Sequence, residues 1–156
     1  MVSFLTALGG IYKNKRLHLL AEAYYMKAMA FIDELYGENA AVQAVAITSY
    51  NMGNNYTDIK PHEKAQDCFY HALDVHKQLS NGEDNEEVAK THTNLGFCYR
   101  RQSNYTKAGE CYSHALDIHR KLSDGMDNVQ VASALYNSGN NFLRIGNLRR
   151  AVEVYS

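Results

Sequence analysis

Residues 45–74 read VAITSYNMGNNYTDIKPHEKAQDCFYHALD, and residues 88–117 read VAKTHTNLGFCYRRQSNYTKAGECYSHALD. Laid over one another at a step of 43, the two stretches share Val-Ala, Gly53 with Gly96, Tyr56 with Tyr99, Ala65 with Ala108, and Cys68 with Cys111. They also share His71-Ala72-Leu73-Asp74 with His114-Ala115-Leu116-Asp117. The same step reaches Val131-Ala132, Gly139, Phe142 and Ala151. A fainter copy precedes at a step of 44, carrying Gly9, Tyr12, Ala21 and Ala28. Its extra residue falls between Ala28 and Val45, where Gly37-Glu38-Asn39 supplies a turn. The chain reads as one domain over 1–156, with units at about 2–44, 45–87, 88–130 and 131–156. The last unit is truncated after about two turns of its second helix, and the chain reads as a fragment.

Within a unit the periodicity is helical. At about 100° per residue from Ile47, Met52, Gly53 and Tyr56 share one face. A turn follows at Lys60-Pro61, Ser103-Asn104 or Gly146-Asn147. A second helix then presents Ala65, Phe69, Ala72 and Leu73, matched by Ala108, Tyr112, Ala115 and Leu116. The loops Ser-Asn-Gly-Glu-Asp-Asn (80–85) and Ser-Asp-Gly-Met-Asp-Asn (123–128) are dense in turn and N-cap residues. Each unit is a helical hairpin that cannot bury its apolar face alone, so neighbouring units stack. The glycines let the two helices of a hairpin approach, and the aromatics at 56, 99 and 142 are expected to fill the gap beside them.

Composition excludes several classes. Lys+Arg total 16 against Asp+Glu 17, so no whole-chain field attracts nucleic acid or anionic lipid. A single proline suits a helical chain. No stretch approaches the roughly 20 apolar residues that span a bilayer. The opening MVSFLTALGG carries its basic residues after the apolar run, the wrong polarity for a signal peptide. Cys68, Cys98 and Cys111 form no C-x-x-C pair, which points to free thiols in a reducing cytoplasm.

The pattern apolar-Gly-x-x-aromatic followed by Ala-x-x-x-aromatic-x-x-Ala resembles the tetratricopeptide repeat. Here it reads Met52-Gly53-x-x-Tyr56 with Ala65-x-x-x-Phe69-x-x-Ala72, and Leu95-Gly96-x-x-Tyr99 with Ala108-x-x-x-Tyr112-x-x-Ala115. Leu8-Gly9-x-x-Tyr12 and Ser138-Gly139-x-x-Phe142 open the outer copies. The family's usual tryptophan is replaced by Ser49, His92 and Leu135, and the proline closing the second helix is missing. The unit also exceeds the common length of about 34 residues. The loops ending in Glu86-Glu87-Val88-Ala89 and Val129-Gln130-Val131-Ala132 are similar to the long repeats of kinesin light chains, with Asn85 or Asn128 in place of a His-Pro. HEAT and armadillo repeats have a comparable period but do not require the paired Gly and Ala positions. The resemblance implies an all-α, right-handed solenoid of antiparallel helical hairpins, with about three and a half repeats.

No catalytic constellation is legible, and no phosphate-cradling glycine motif occurs, so neither enzyme activity nor a cofactor is expected. His71 and His76 recur as His114 and His119, but a separation of five puts a pair about 140° apart, unlike a zinc pair. They read as packing or surface histidines. The Asn55-Tyr56-Thr57 and Asn104-Tyr105-Thr106 matches to a glycosylation motif read as by-products of the repeat. The other side of each first helix is more informative. It carries Tyr50, Asn51 and Asn54, then Lys90, Asn94, Phe97, Arg100 and Arg101, then Tyr136, Asn137, Asn140 and Arg144. The resemblance implies that these positions line a concave groove holding an extended peptide, with Asn51, Asn94 and Asn137 gripping its backbone through donor and acceptor alike. Lys90, Arg100, Arg101 and Arg144 stand against Asp58 alone, which favours an acidic or phosphorylated segment. The expected function is a peptide-binding adaptor. The competing expectation is a passive arm of a larger signalling protein that touches partners through its convex face or ends. The bare apolar C-terminal end could also pair with a second copy.

Overall fold

Eight helices make up a computed structural model that describes residues 1–36, 42–59, 62–126 and 128–155. They are α1 (Val2–Asn14), α2 (His18–Tyr36), α3 (Val42–Thr57), α4 (Glu63–Leu79), α5 (Glu86–Arg101), α6 (Tyr105–Leu122), α7 (Val129–Arg144) and α8 (Leu148–Tyr155). The fold is an all-α repeat solenoid. Consecutive helices pair as α1–α2, α3–α4, α5–α6 and α7–α8, the hairpins read from the sequence. The turns expected at Gly37-Glu38-Asn39 and Lys60-Pro61 lie outside the described residues, as do Asp127 and Ser156. The chain divides into two compact units, Met1–Gly82 and Glu83–Ser156, each holding two hairpins.

Local chemistry sets the helix starts. The Oδ1 of Asn85 accepts from the Val88 amide at 2.9 Å, and that of Asn128 accepts from the Val131 amide at 2.9 Å. Asn104 and Asn147 cap α6 and α8 in the same way, at 3.2 and 3.1 Å. Each side chain satisfies an amide that the first turn leaves without a partner. The long loops turn on Asn81-Gly82 and Asp124-Gly125, all four with positive φ. The short turns use one left-handed residue each, Arg16, Ser103 and Gly146.

Packing within a hairpin corrects one expectation. A Cβ at Gly53 would lie 2.7 Å from the Phe69 ring, and one at Gly96 would lie 2.7 Å from the Tyr112 ring. Tyr25 and Tyr155 cover Gly9 and Gly139 in the same manner. The ring on the glycine therefore comes from the second helix, not from the first-helix aromatics at 56, 99 and 142. Ala21, Ala28, Ala65, Ala72, Ala108 and Ala115 are fully buried. Such positions cannot be enlarged without displacing a neighbour.

Tyr56 serves the joint between hairpins instead. Its hydroxyl donates to Glu22 Oε1 on α2 at 2.6 Å, while Lys64 lies over its ring and 3.6 Å from the same carboxylate. Beside it, Asn55 is fully buried, donating to the His18 carbonyl at 3.1 Å and meeting His18 Nδ1 at 3.0 Å. In the second unit, Asn141 Nδ2 donates to the Tyr105 carbonyl at 2.9 Å. Asn55 and Asn141 occupy the same register, with Cys98 at that position between them. A pinning amide is thus what the Asn55-Tyr56-Thr57 match contains.

At two of the three positions where tetratricopeptide repeats usually carry tryptophan, Ser49 and His92 stand in polar pairs. Ser49 Oγ lies 2.9 Å from His71 Nδ1, and the His92 and His114 rings sit 5.2 Å apart. His76 and His119 are buried, the latter 3.4 Å from Glu86. These are packing roles. Among the described residues, no group of three or more His, Cys, Asp or Glu side chains could hold a metal ion, and no helix is long and apolar enough to cross a membrane.

Candidate functional site

The first helices of each unit meet along α1–α3 and α5–α7, and each contact leaves a depression of different chemistry. In the first unit a groove of about 490 Å³ is lined by Val2, Ser3, Thr6, Ala7 and Gly10 of α1 and by Gln43, Ala44, Ile47, Thr48 and Asn51 of α3. None of these side chains is charged. The buried hydroxyls of Thr6 and Thr48 hydrogen-bond at 3.1 Å, and the Asn51 amide is half-buried on the same wall. The groove exists because α1 presents small side chains there. A step of 44 takes Ile47, Tyr50, Asn51 and Asn54 back to Ser3, Thr6, Ala7 and Gly10. Reading only the asparagine-bearing repeats misses this wall.

In the second unit a cleft of about 250 Å³ is lined by Phe97, Arg100 and Arg101 of α5, Tyr105 of α6 and Arg144 of α7. The guanidinium carbons of Arg100 and Arg101 lie 5.0 and 5.8 Å from the centre of the Phe97 ring. A ring face attracts cations, so Phe97 holds two like charges side by side. Among the described residues, none of the three guanidinium groups forms a salt bridge with a carboxylate. Arg100 also lies beside the phenol of Tyr112, the ring on Gly96. Burial pushes that phenol up to about 12 against the opposing pull of Arg100.

Of the twelve residues singled out from the sequence, Phe97, Arg100, Arg101 and Arg144 come together, and Asn51 lines the other depression. Lys90 does not add to the cationic set: Glu86 and Glu87 on its own helix lie 3.7 and 3.2 Å from its ammonium. The Tyr50 ring packs edge-on to Phe69 at 6.1 Å. Tyr136 is exposed, and Asn54, Asn94, Asn137 and Asn140 are half-buried along α3, α5 and α7. Thr57 is buried and donates to the Gly53 carbonyl. Asp58 pairs with Lys13 at 3.8 Å. In the second-unit cleft, Tyr105 is the lining residue that sequence reasoning did not single out.

A tetratricopeptide repeat profile matches residues 44–103 and 87–156, more than half of the chain. The chain belongs to the tetratricopeptide repeat family. Its members are scaffolds of protein interaction. No protein of curated function matches the sequence. Among solved structures, BtubC (BKLC) from P. vanneervenii is similar at 23% identity and TM-score 0.86, over 98% of this chain and 59% of that one. A Rap protein complexed with Competence and Sporulation Factor is similar at 23% identity and TM-score 0.79, over 99% of this chain and 40% of that one. A Podosopora anserina protein with nearly identical kinesin light chain TPR-like repeats gives 10% identity and TM-score 0.81, over 98% and 71%. This tetratricopeptide chain thus spans about three-fifths or less of the length of the first two. The likeness to the long-repeat, kinesin light chain type is one of fold.

Proposed function

We propose that this chain is an interaction module that holds a short, extended, acidic peptide against the open faces of α5 and α7. The observation that carries the proposal is the convergence of Arg100, Arg101 and Arg144 around Phe97 with no carboxylate partner among the described residues. Guanidinium groups pair with carboxylate oxygens two bonds at a time, so an acidic side chain has ready donors there. Asn51, Asn94 and Asn137 recur at one register, and an amide can both donate to and accept from a peptide main chain. The Rap protein solved with Competence and Sporulation Factor gives a precedent in the same fold for a bound partner. A reducing cytoplasm suits three free cysteines.

Titration with degenerate acidic peptides tests the reading. The double variant Asn94→Ala with Arg100→Glu should lose at least tenfold in affinity, since each charge-assisted contact contributes about 1.5–3 kcal/mol. Unchanged affinity removes the site. A second reading, a structural arm contacting partners through second-helix faces, draws on Leu19, Leu20 and Met26 exposed along α2. Crosslinks mapping every partner to α2, α4 and α6 would favour it. Pairing of two copies through α8, where Leu148 and Val152 are exposed, is tested by sedimentation.

A further inference from the structure

The two units carry one pair of positions with opposite outcomes. In the first unit Lys13 on α1 and Asp58 on α3 form an ion pair at 3.8 Å. The repeat steps carry Lys13 to Arg100 on α5, and Asp58 to Arg101 and then to Arg144 on α7. A cation–anion pair in one unit therefore stands as two cations in the other, and Arg101 adds a third. All three line one cleft, with Phe97 under two of them. Like charges gathered this way repel, and none of the three forms a salt bridge with a carboxylate among the described residues.

We infer that the Phe97/Arg100/Arg101/Arg144 cleft is a pocket for a phosphate monoester on a peptide side chain. The inference rests on the peptide-binding reading above and specifies its ligand. A carboxylate brings one charge and two oxygens, enough to satisfy one guanidinium edge. A phosphate monoester brings a charge of about −1.5 to −2 and three strong acceptor oxygens, which match three guanidinium groups. Its placement where Asp58 sits in the other unit supplies the missing anion. The Tyr105 carbonyl, an acceptor that would oppose an anion, is already engaged by Asn141 Nδ2.

The test uses the full chain and three fluorescent peptide pools with degenerate flanks and a central phosphoserine, glutamate or serine, with inorganic phosphate as a fourth probe. The phosphoserine pool should bind at least tenfold tighter than the glutamate pool. Arg144→Asp, which restores the charge pattern of Lys13 and Asp58, should abolish that preference with the helical circular dichroism signal unchanged. Arg101→Gln should weaken phosphoserine binding about tenfold and narrow its margin over the serine pool. Equal, Arg144-sensitive affinity for the phosphoserine and glutamate pools overturns the phosphate assignment and leaves the acidic-peptide reading standing. A preference that survives Arg144→Asp overturns the pocket. Inorganic phosphate binding as tightly as the phosphoserine pool makes free phosphate the ligand and overturns the peptide-borne form. Retention of no pool overturns both readings.

Discussion

In Met1–Gly82 the first helices meet across serine, threonine, alanine and glycine, and Lys13 and Asp58 neutralise one another within the unit. In Glu83–Ser156 the equivalent helices meet across a phenyl ring and three guanidinium groups. The hairpins beneath are nearly the same: a glycine under a second-helix ring, buried alanines, and an asparagine bracing one hairpin to the next. Repetition thus fixes the scaffold, while the residues on the open face are free to diverge. The cluster of guanidinium groups belongs to the second unit. An uncharged groove with hydroxyl and amide groups on its walls belongs to the first.

The largest expected effect concerns what the units share. Burial pushes the Cys68 and Cys111 thiols up to about 11, with the neighbouring Asp67 and Glu110 adding to it. At pH 8 both should alkylate about a hundredfold more slowly than an unfolded cysteine, because the thiolate is the nucleophile. Mass spectrometry of labelled peptides checks this, and fast labelling of one alone would break the equivalence of the repeats. The sign of the linkage follows: a raised thiol pKa gives stability that is full below about pH 9 and is lost as pH rises through about 11. The Tyr56 and Tyr112 phenols, also raised by burial, extend the loss to higher pH. Alkaline thermal melts should fall over that window.

The glycines sharpen the comparison. Gly53→Ala and Gly96→Ala each press a methyl onto a buried ring and should cost about 1–3 kcal/mol by urea denaturation. Gly139→Ala presses on Tyr155, which is 48% exposed and can swing aside. It should cost less than about 1 kcal/mol. Equal losses at Gly96 and Gly139 would contradict the packing argument.

The braces come next. Asn55→Ala removes two interactions with His18, and Asn141→Ala removes one with Tyr105. Losses of about 1–3 kcal/mol are expected for an unsatisfied buried partner, the larger at Asn55. The smallest effect is a gain. Ser103 holds φ at 61° where the equivalent turn of the last hairpin has Gly146. Ser103→Gly should raise stability by up to about 1 kcal/mol, read as a small rise in melting temperature.

Much of the hairpin architecture was legible because Gly, Ala and aromatic residues recur at steps that no other fold requires. Asn85 and Asn128 were legible as caps because each precedes a helical run after a turn. Which aromatic covers the glycine was not: Tyr56 and Phe69 both lie on hairpin-facing arcs, and only packing decides between them. The Lys90 charge was overcounted, since Glu86 and Glu87 sit four and three residues before it on one helix face. The first groove escaped because its wall is made of small residues, which carry space and no chemistry. The arginines were visible individually. Their correspondence with Lys13 and Asp58 acquires meaning only once the latter two are seen to touch.

Backbone amide shifts of the full chain, followed through a titration with degenerate acidic peptides, address the central claim most directly. The account predicts perturbations clustered at Phe97, Arg100, Arg101 and Arg144, weakening as salt is raised. Perturbations confined to α2, α4 and α6, with those four amides unmoved, would contradict it.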